Sequence, residues 1–225
     1  AEEFVAIGRD DTKWSGNYVL ENDIDVSGVK LTSIGNPGTA YTGKFSGDGH
    51  TISHINLQEG NGYGSLFGYV KDSKVMLLAV NGEIDLGNND AGGICGVLDG
   101  GEIYGSSFIG TVKGSGKISQ CFFEGDLQGR NATAGICGMG GNVGGINHCI
   151  SIATIDITEN DGNLAGITNI KDYGVTNCYF NNDICNVEDT YKLGRTTLQL
   201  TSSSFFEKLK TNGFSPELWT KKAND

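Results

Sequence analysis

The cysteines and histidines are the side chains of this sequence that could act as nucleophiles or metal ligands. There are six cysteines and three histidines. Five cysteines fall at two repeating positions: Cys121, Cys149 and Cys178 at one, Cys95 and Cys137 at the other. If these positions lie on neighbouring strands about 4.8 Å apart, the thiols stack on one another. The pattern favours a ladder of small buried side chains, with disulfides between rungs or a metal site as alternatives.

The histidines do not form an obvious catalytic set. His50, His54 and His148 are scattered along the chain. His148 adjoins Cys149, but neighbouring residues of a strand point to opposite faces, so a Cys–His nucleophilic pair is not expected. We therefore predict no catalytic residue and no metal ligand among these side chains.

The carboxylates are the remaining candidates for chemistry. A glycosidase requires two acids that face each other across a cleft, and a β-helix lyase requires stacked acids beside an Arg or Lys base. One outward position of the repeats instead alternates acids with neutral residues: Glu83, Thr111, Asp126, Thr154 and Asp183. A carbohydrate-active enzyme, either a polysaccharide lyase or a glycosidase, is therefore the alternative function, and no enzyme is the main prediction.

Three aspartates near the start of the chain could hold a cation. Asp23, Asp25 and Asp48 offer the oxygen ligands that calcium prefers. Their main predicted role is turn formation, with a structural calcium as the alternative. No other cofactor is predicted.

The composition indicates many short strands joined by tight turns. Glycine accounts for 36 of the 225 residues, more than twice its usual share of about 7%. The net charge is −11 and no Lys/Arg cluster is present, which argues against nucleic acid or an anionic membrane as partner. No apolar run reaches the roughly 20 residues of a membrane span. The chain begins AEEFVAIG with neither Met nor a signal peptide, as expected for a trimmed mature domain. We also expect it to be part of a larger multidomain chain.

Two phrases repeat along the chain, and they must position any site. One is a short run ending in glycine; the other begins at an apolar anchor, namely Val75, Ile103, Ile118, Ile146 and Val175. The anchors are separated by 28, 15, 28 and 29 residues. Aligned positions follow at three residues on (Leu78, Ser106, Cys121, Cys149, Cys178), five on (Val80, Phe108, Phe123, Ser151, Phe180), seven on (Gly82, Gly110, Gly125, Ala153, Asn182) and nine on (Ile84, Val112, Leu127, Ile155, Ile184).

These positions share one parity and are mostly small or apolar, which predicts strands whose inward residues stack into a continuous core. A turn at the Asn or Gln that follows the anchor, namely Gln120, Asn147 and Asn177 with their neighbours, resets the alternation, because such residues tolerate left-handed backbone. We predict an all-β fold, a right-handed parallel β-helix. It comprises a lead-in with the first coils (1–57), the repeats (58–195) and a short helical C-terminal cap (196–225), together forming one structural domain.

The repeated phrases resemble the GLUG motif of bacterial surface proteins. They are residues 64–68 (GSLFG), 92–96 (GGICG) and 134–138 (AGICG), preceded by similar lead-in segments at 17–28 (NYVLENDIDVSG) and 45–53 (FSGDGHTIS). This family includes adhesin-like and IgA-peptidase-type extracellular proteins. The resemblance implies a secreted or cell-surface β-helix of a bacterium that acts as a spacer or as an adhesion module. The expected partner is a glycan or a host or cell-surface protein.

One outward column departs from the polar pattern that a solvated face requires. Four residues after the anchors stand Ala79, Ser107, Phe122, Ile150 and Tyr179, and two positions further on stand Ile109 and Ile152. Exposed apolar patches of this kind mark binding surfaces. The candidate binding residues are therefore Ile109, Phe122, Ile150, Ile152 and Tyr179, and the alternative is that the terminal segment folds over them.

Overall fold

The structure is a computed structural model, and it describes residues 1–57, 63–85, 90–113, 122–128, 133–134, 146–147, 150–156, 164–165, 175–184 and 193–212. The strands are β1 (Tyr18–Val19), β2 (Ile24–Asp25), β3 (Lys44–Ser46), β4 (Thr51–Leu57), β5 (Tyr63–Gly64), β6 (Phe67–Met76), β7 (Ala79–Asp85), β8 (Asp90–Ala91), β9 (Cys95–Tyr104), β10 (Ser107–Lys113), β11 (Phe122–Gln128), β12 (Thr133–Ala134), β13 (Ile146–Asn147), β14 (Ile150–Asp156), β15 (Leu164–Ala165), β16 (Val175–Thr176), β17 (Tyr179–Asn181) and β18 (Gly194–Arg195). The helices are α1 (Glu2–Arg9), α2 (Thr197–Leu200) and α3 (Ser203–Thr211), with a 3-10 turn at Asp11–Lys13.

The strands stack as a parallel β-helix. One sheet has the order β1-β3-β6-β9, and a second has the order β18-β17-β14-β11-β10-β7-β4-β2. Three further two-stranded sheets pair β12 with β15, β13 with β16 and β5 with β8. Every paired strand runs parallel to its neighbour. The predicted all-β parallel β-helix with a helical C-terminal segment is confirmed.

The ladders follow the columns that the sequence repeats define. In the eight-stranded sheet one ladder joins Val80, Phe108, Phe123, Ser151 and Phe180, and another joins Ile84, Val112, Leu127 and Ile155. The anchors Val75 and Ile103 also pair with each other. The 15-residue spacing brings β10 and β11 side by side, with Ser107 opposite Phe122.

A left-handed residue forms the corner between the strand that carries the anchor and the next strand, which belongs to the eight-stranded sheet. It lies two positions after the anchor at Leu77, Gly105 and Asn177, with φ of 53°, 56° and 52°. The corner turns the next side chain inward, so that Leu78, Ser106 and Cys178 are buried. The predicted turn at Asn177 is thus confirmed, whereas that at Asn147 is wrong, because Asn147 lies in strand β13, and Gln120 lies outside the described residues. The corner allows an apolar anchor and an inward residue of opposite parity to share one core.

The small residues of the third column have a steric cause. Gly82 and Gly110 pair across neighbouring rungs with φ of 142° and 149°. A Cβ built on Gly110 would collide with the carbonyl oxygen of Gly82. The backbones therefore approach as closely as they do only because both positions lack a side chain.

Aromatic rings fill the first coils. Phe45 and Phe67 are fully buried, with ring centroids 5.2 Å apart. Tyr41 packs 5.3 Å from Phe67, and its hydroxyl donates to the carbonyl oxygen of Gly16 at 3.1 Å. Burial raises the pKa of the Tyr41 phenol well above its usual range.

An amphipathic helix that was not predicted covers the first coil. In α1, Phe4, Val5 and Ile7 are buried, and the ring of Phe4 meets that of Phe45 at 6.2 Å. The indole Nε1 of Trp14 donates to the carbonyl oxygen of Ile7 at 2.8 Å. The helix thus shields the start of the core from water.

Candidate functional site

The candidate binding residues lie along the outer face of the eight-stranded sheet. Ser107 of β10 pairs with Phe122 of β11, Phe122 with Ile150 of β14, and Ile150 with Tyr179 of β17. The neighbouring outer column joins Asn81, Ile109, Glu124 and Ile152 in the same order of strands. The sheet therefore brings the predicted residues to neighbouring positions of its ladders, and we call the surface that carries Ile109, Ile150, Ile152 and Tyr179 the outer face.

The terminal helices cover this outer face at strands β14 and β17. Ile150 and Tyr179 are only 7% and 4% exposed, because they pack with Phe205 and Leu209 of α3. Ile152 is partly buried against the same cluster. At these three residues the alternative is therefore correct: the terminal segment folds over the candidate binding residues. They offer little surface to a ligand.

The serine run before α3 sets where this helix begins. Ser202 is its N-cap, and its Oγ accepts the backbone N–H of Phe205 at 3.2 Å. The shorter α2 begins with a capping box in which Thr196 accepts from Gln199 N and the Gln199 side chain accepts from Thr196 N. Two local caps therefore fix the two short helices against the sheet.

Polar contacts hold the helices around Tyr179. The Asn212 side chain donates to the Tyr179 hydroxyl at 3.1 Å. The Arg195 guanidinium lies 5.2 Å and the Lys208 ammonium 5.6 Å from the centroid of the Tyr179 ring. Cations over a tyrosine face are attracted by its negative electrostatic potential. The covered part of the outer face therefore receives an apolar and basic helix.

The outer face is open to solvent at Ile109 of β10. This side chain is 48% exposed in the middle of β10. Phe122 lies in β11 between Ser107 and Ile150, but its side chain lies outside the described part of the structure. Of the five candidate residues, Ile109 is thus the one that the structure places at an accessible surface.

Two Asp–His pairs extend the same face beyond β7, and sequence reasoning missed them. His50 Nδ1 lies 3.2 Å from Asp23 Oδ1, and His54 Nδ1 lies 3.0 Å from Asp25 Oδ1. The paired residues are 27 and 29 positions apart. These separations match the length of one coil, which is the signal that could have identified the pairs.

A β-bulge presents His54 to solvent. The register between β4 and β7 shifts between Ile52 and Ile55, and His54 has a left-handed φ of 58°. Its backbone N–H donates to Asn81 Oδ1 at 3.0 Å. Bulges redirect side chains in this way, and here the bulge connects the Asp–His pairs to the column that contains Ile109.

Hydrogen-bond donors keep the two aspartates ionised. The backbone N–H of Thr51, followed by the His50 side chain, lowers the pKa of Asp23. The backbone N–H of Ser27 is the largest cause that lowers the pKa of Asp25. Both carboxylates therefore carry negative charge at neutral pH.

The predicted calcium ligands are engaged in turn chemistry. Asp23 and Asp25 accept the hydrogen bonds just described, and Asp48 is a left-handed turn residue with φ of 50°. Among the described residues, no group of three or more His, Cys, Asp or Glu side chains is placed to hold a metal ion. The alternative of a structural calcium stays a prediction.

The cysteine columns are described at two positions. Cys95 and Cys178 are fully buried, and the Sγ of Cys95 lies 3.0 Å from the carbonyl oxygen of Val97. Cys121, Cys137 and Cys149 lie outside the described residues. Burial at both described positions agrees with inward-facing columns.

The outer surface of the four-stranded sheet carries paired charges. Asp99 Oδ2 accepts from the Tyr69 hydroxyl at 3.0 Å and lies 3.6 Å from Lys71 Nζ. Lys74 Nζ pairs with Glu102 at 3.0 Å. These pairs join β6 to β9 across one rung, so opposite charges on this surface neutralise each other.

Comparisons with protein-family models, with curated proteins and with solved structures give no match. In the part of the chain that the structure describes, no helix is long and apolar enough to cross a membrane.

Proposed function

We propose that the protein is a non-catalytic module of a larger bacterial surface protein, which binds a ligand through the open part of its outer face. The observation that carries this proposal is the position of Ile109. It lies on the same surface of the sheet that the terminal helices cover at Ile150, Ile152 and Tyr179, with Glu124 between Ile109 and Ile152 in its own column. A surface on which one apolar segment docks is suited to receive another.

The architecture supports a displaying role. A solenoid buries its core through stacked rungs and leaves each outer column free to vary. In this chain one outer surface is neutralised by ion pairs, while the other presents Ile109 with polar neighbours. Location outside the cell and a glycan or a host or cell-surface protein as ligand are the expectations of the resemblance to GLUG-motif proteins.

Array binding tests this proposal. The labelled protein is applied to arrays of host and cell-wall glycans and of extracellular proteins, alongside Ile109→Asp and Leu198→Asp variants. Leu198 is the matched control, since it is 81% exposed on α2, away from the open outer face. We expect ligands whose binding is lost with Ile109→Asp and kept with Leu198→Asp. Equal loss in both variants, or equal retention, would contradict the role of the outer face.

A second measurement separates the module from an enzyme. The protein is incubated with acidic and neutral polysaccharides, and reducing ends and unsaturated products are followed over time. We expect no depolymerisation above a heat-denatured control. Turnover would support the alternative, a lyase or glycosidase.

A further inference from the structure

The contact between α3 and the outer face indicates which chemistry this face accepts. Phe205 and Leu209 insert against Ile150 and Tyr179, while Lys208 lies over the Tyr179 ring. An amphipathic helix with apolar side chains on one face and Lys at its border therefore already docks on this sheet. Binding of an amphipathic helix through its apolar side is a recurrent mode of peptide recognition.

The open rungs continue that surface with negative charge. Glu83 is exposed on β7, and Asp23 and Asp25 are exposed at the edge of the sheet. Strands β2, β4 and β7 contain no Lys or Arg. Ile109 thus lies opposite Asn81 and two positions from Glu83, on a surface where Asp23 and Asp25 pair with histidines, whereas the four-stranded sheet pairs its carboxylates with lysines.

The dimensions of the open surface fit one helix. Neighbouring rungs are about 4.8 Å apart, so β4, β7 and β10 together span about 10 Å. A helix with its side chains has a diameter of about 10–12 Å. By the same spacing Asp25 on β2 lies about 14 Å from β10. A single helix laid beside Ile109 would therefore meet Glu83 on the next rung and reach the Asp–His pairs with its long Lys or Arg side chains.

We propose that the open outer face, formed by Ile109, Glu83, Asp25 and Asp23, binds a basic amphipathic helix of a separate protein partner. The partner's apolar side chains contact Ile109, and its Lys or Arg side chains meet the carboxylates. This inference rests on the proposed function, because it names the class of ligand for the same surface. It selects a protein segment over a glycan, since both the charge and the bound α3 favour a cationic, apolar helix.

The test uses designed helical peptides as probes. One peptide of about 18 residues, long enough for appreciable helicity, carries Leu and Phe on one face and Lys on the other; in its partner peptide Glu replaces Lys. Binding to the whole chain is measured by fluorescence anisotropy at two salt concentrations. We expect the Lys peptide to bind, more weakly at high salt because exposed charges are screened, and the Glu peptide to bind at least about tenfold more weakly.

Matched variants separate this site from general attraction to an acidic protein. Ile109→Ser and Glu83→Gln should each weaken the Lys peptide several-fold, while Leu198→Ser and Glu102→Gln, the same changes elsewhere, should leave its Kd unchanged. Circular dichroism confirms that each variant is folded, as expected for exposed positions. Equal effects in the matched pairs would overturn the proposal.

Two other outcomes would also overturn it. Sedimentation at the binding concentrations could reveal a dimer lost with Ile109→Ser, which would assign the open outer face to a second copy of the chain. The second outcome is that neither peptide binds, while a glycan on the array binds the parent protein and does not bind Ile109→Asp. This would assign the open outer face to carbohydrate. In that last case the proposed function would stand and only the partner class would fail.

Discussion

The ring of Phe205 stands edge-on against the ring of Tyr179, with centroids 4.8 Å apart and planes at 81°. This contact joins the terminal helix to the outermost column of the β-helix rather than to its interior. It divides the outer face into a covered part, around Ile150 and Tyr179, and an open part around Ile109.

Replacing Phe205 by alanine should release the terminal helix. The ring is buried against Tyr179 of β17, and loss of a buried Phe costs about 3 kcal/mol. We expect trypsin to cleave after Lys208 and Lys210 much faster in Phe205→Ala than in the parent protein, while the β-sheet signal in circular dichroism persists. Leu198→Ala, at an exposed position of α2, is the control and should leave cleavage unchanged. Equal cleavage rates in parent and Phe205→Ala would show that the ring does not anchor the helix.

Removing the hydroxyl of Ser151 should stabilise the protein. Its Oγ is buried without a hydrogen-bond partner among the described residues, in a column where other rungs place Val80 and Phe108. A buried unsatisfied polar group costs at least about 1 kcal/mol, so Ser151→Ala should raise the free energy of unfolding by about that amount.

Ser106 provides the contrasting substitution. Its hydroxyl accepts from the backbone N–H of Leu78 at 3.3 Å and donates to the carbonyl oxygen of Tyr104 at 3.0 Å. Ser106→Ala should therefore lower the free energy of unfolding, measured with urea, by about 1–3 kcal/mol. The same sign of change in both variants would refute the two hydrogen-bond assignments.

The corner at Leu77 predicts opposite effects at adjacent residues. Leu77 has a left-handed φ of 53°, which costs an L-residue with a branched side chain about 1 kcal/mol. Leu77→Asn should thus keep or slightly raise the melting temperature. Leu78 is buried inside the coil, so Leu78→Asn should destabilise by about 3 kcal/mol. If Leu77→Asn proved the more harmful change, the corner would be misplaced by one residue.

The Asp–His pairs predict a stability difference that depends on pH. Donors to the ionised carboxylates lower the pKa of Asp23 and Asp25 below the ordinary value of about 3.9. Their stabilising effect is therefore present above pH 4 and is lost as the pH falls through the lowered folded-state values. The urea midpoint of an Asp23→Asn, Asp25→Asn variant should lie below that of the parent near pH 6. The two midpoints should converge as the pH falls through the lowered pKa values of the folded state. If the difference between the two urea midpoints stayed the same at every pH, it would arise from contacts other than those of the ionised carboxylates.

The rungs could be predicted from the sequence because their signal is periodic. Inward residues such as Val80, Phe108 and Phe180 recur at fixed distances from an anchor, and the alternation of period two gives their direction. The observed registers match those columns. Repetition supplies many weak copies of the same information, and together they define the fold.

Features that occur once could not be predicted in the same way. Helix α1 is a single segment of eight residues, too short for its pattern to stand out. The spacing of Phe205 and Leu209 indicates an amphipathic helix, but it does not say which surface of the β-helix receives the apolar side. The Asp–His pairs involve exposed polar residues, which repeats do not constrain, and they become visible only when residues one coil apart are compared.

Methyl NMR of isoleucine-labelled protein would show whether ligands bind at the open outer face, because it reports on Ile109 and Ile150 in one experiment. A soluble paramagnetic agent should broaden the Ile109 methyl signal and leave those of Ile52, Ile84 and Ile150 sharp. On addition of the Lys peptide or an array ligand, the Ile109 signal should shift while those of the three buried residues stay in place. An Ile109 signal that is protected from the agent, or that stays still while Ile150 shifts, would contradict the open outer face as the binding surface.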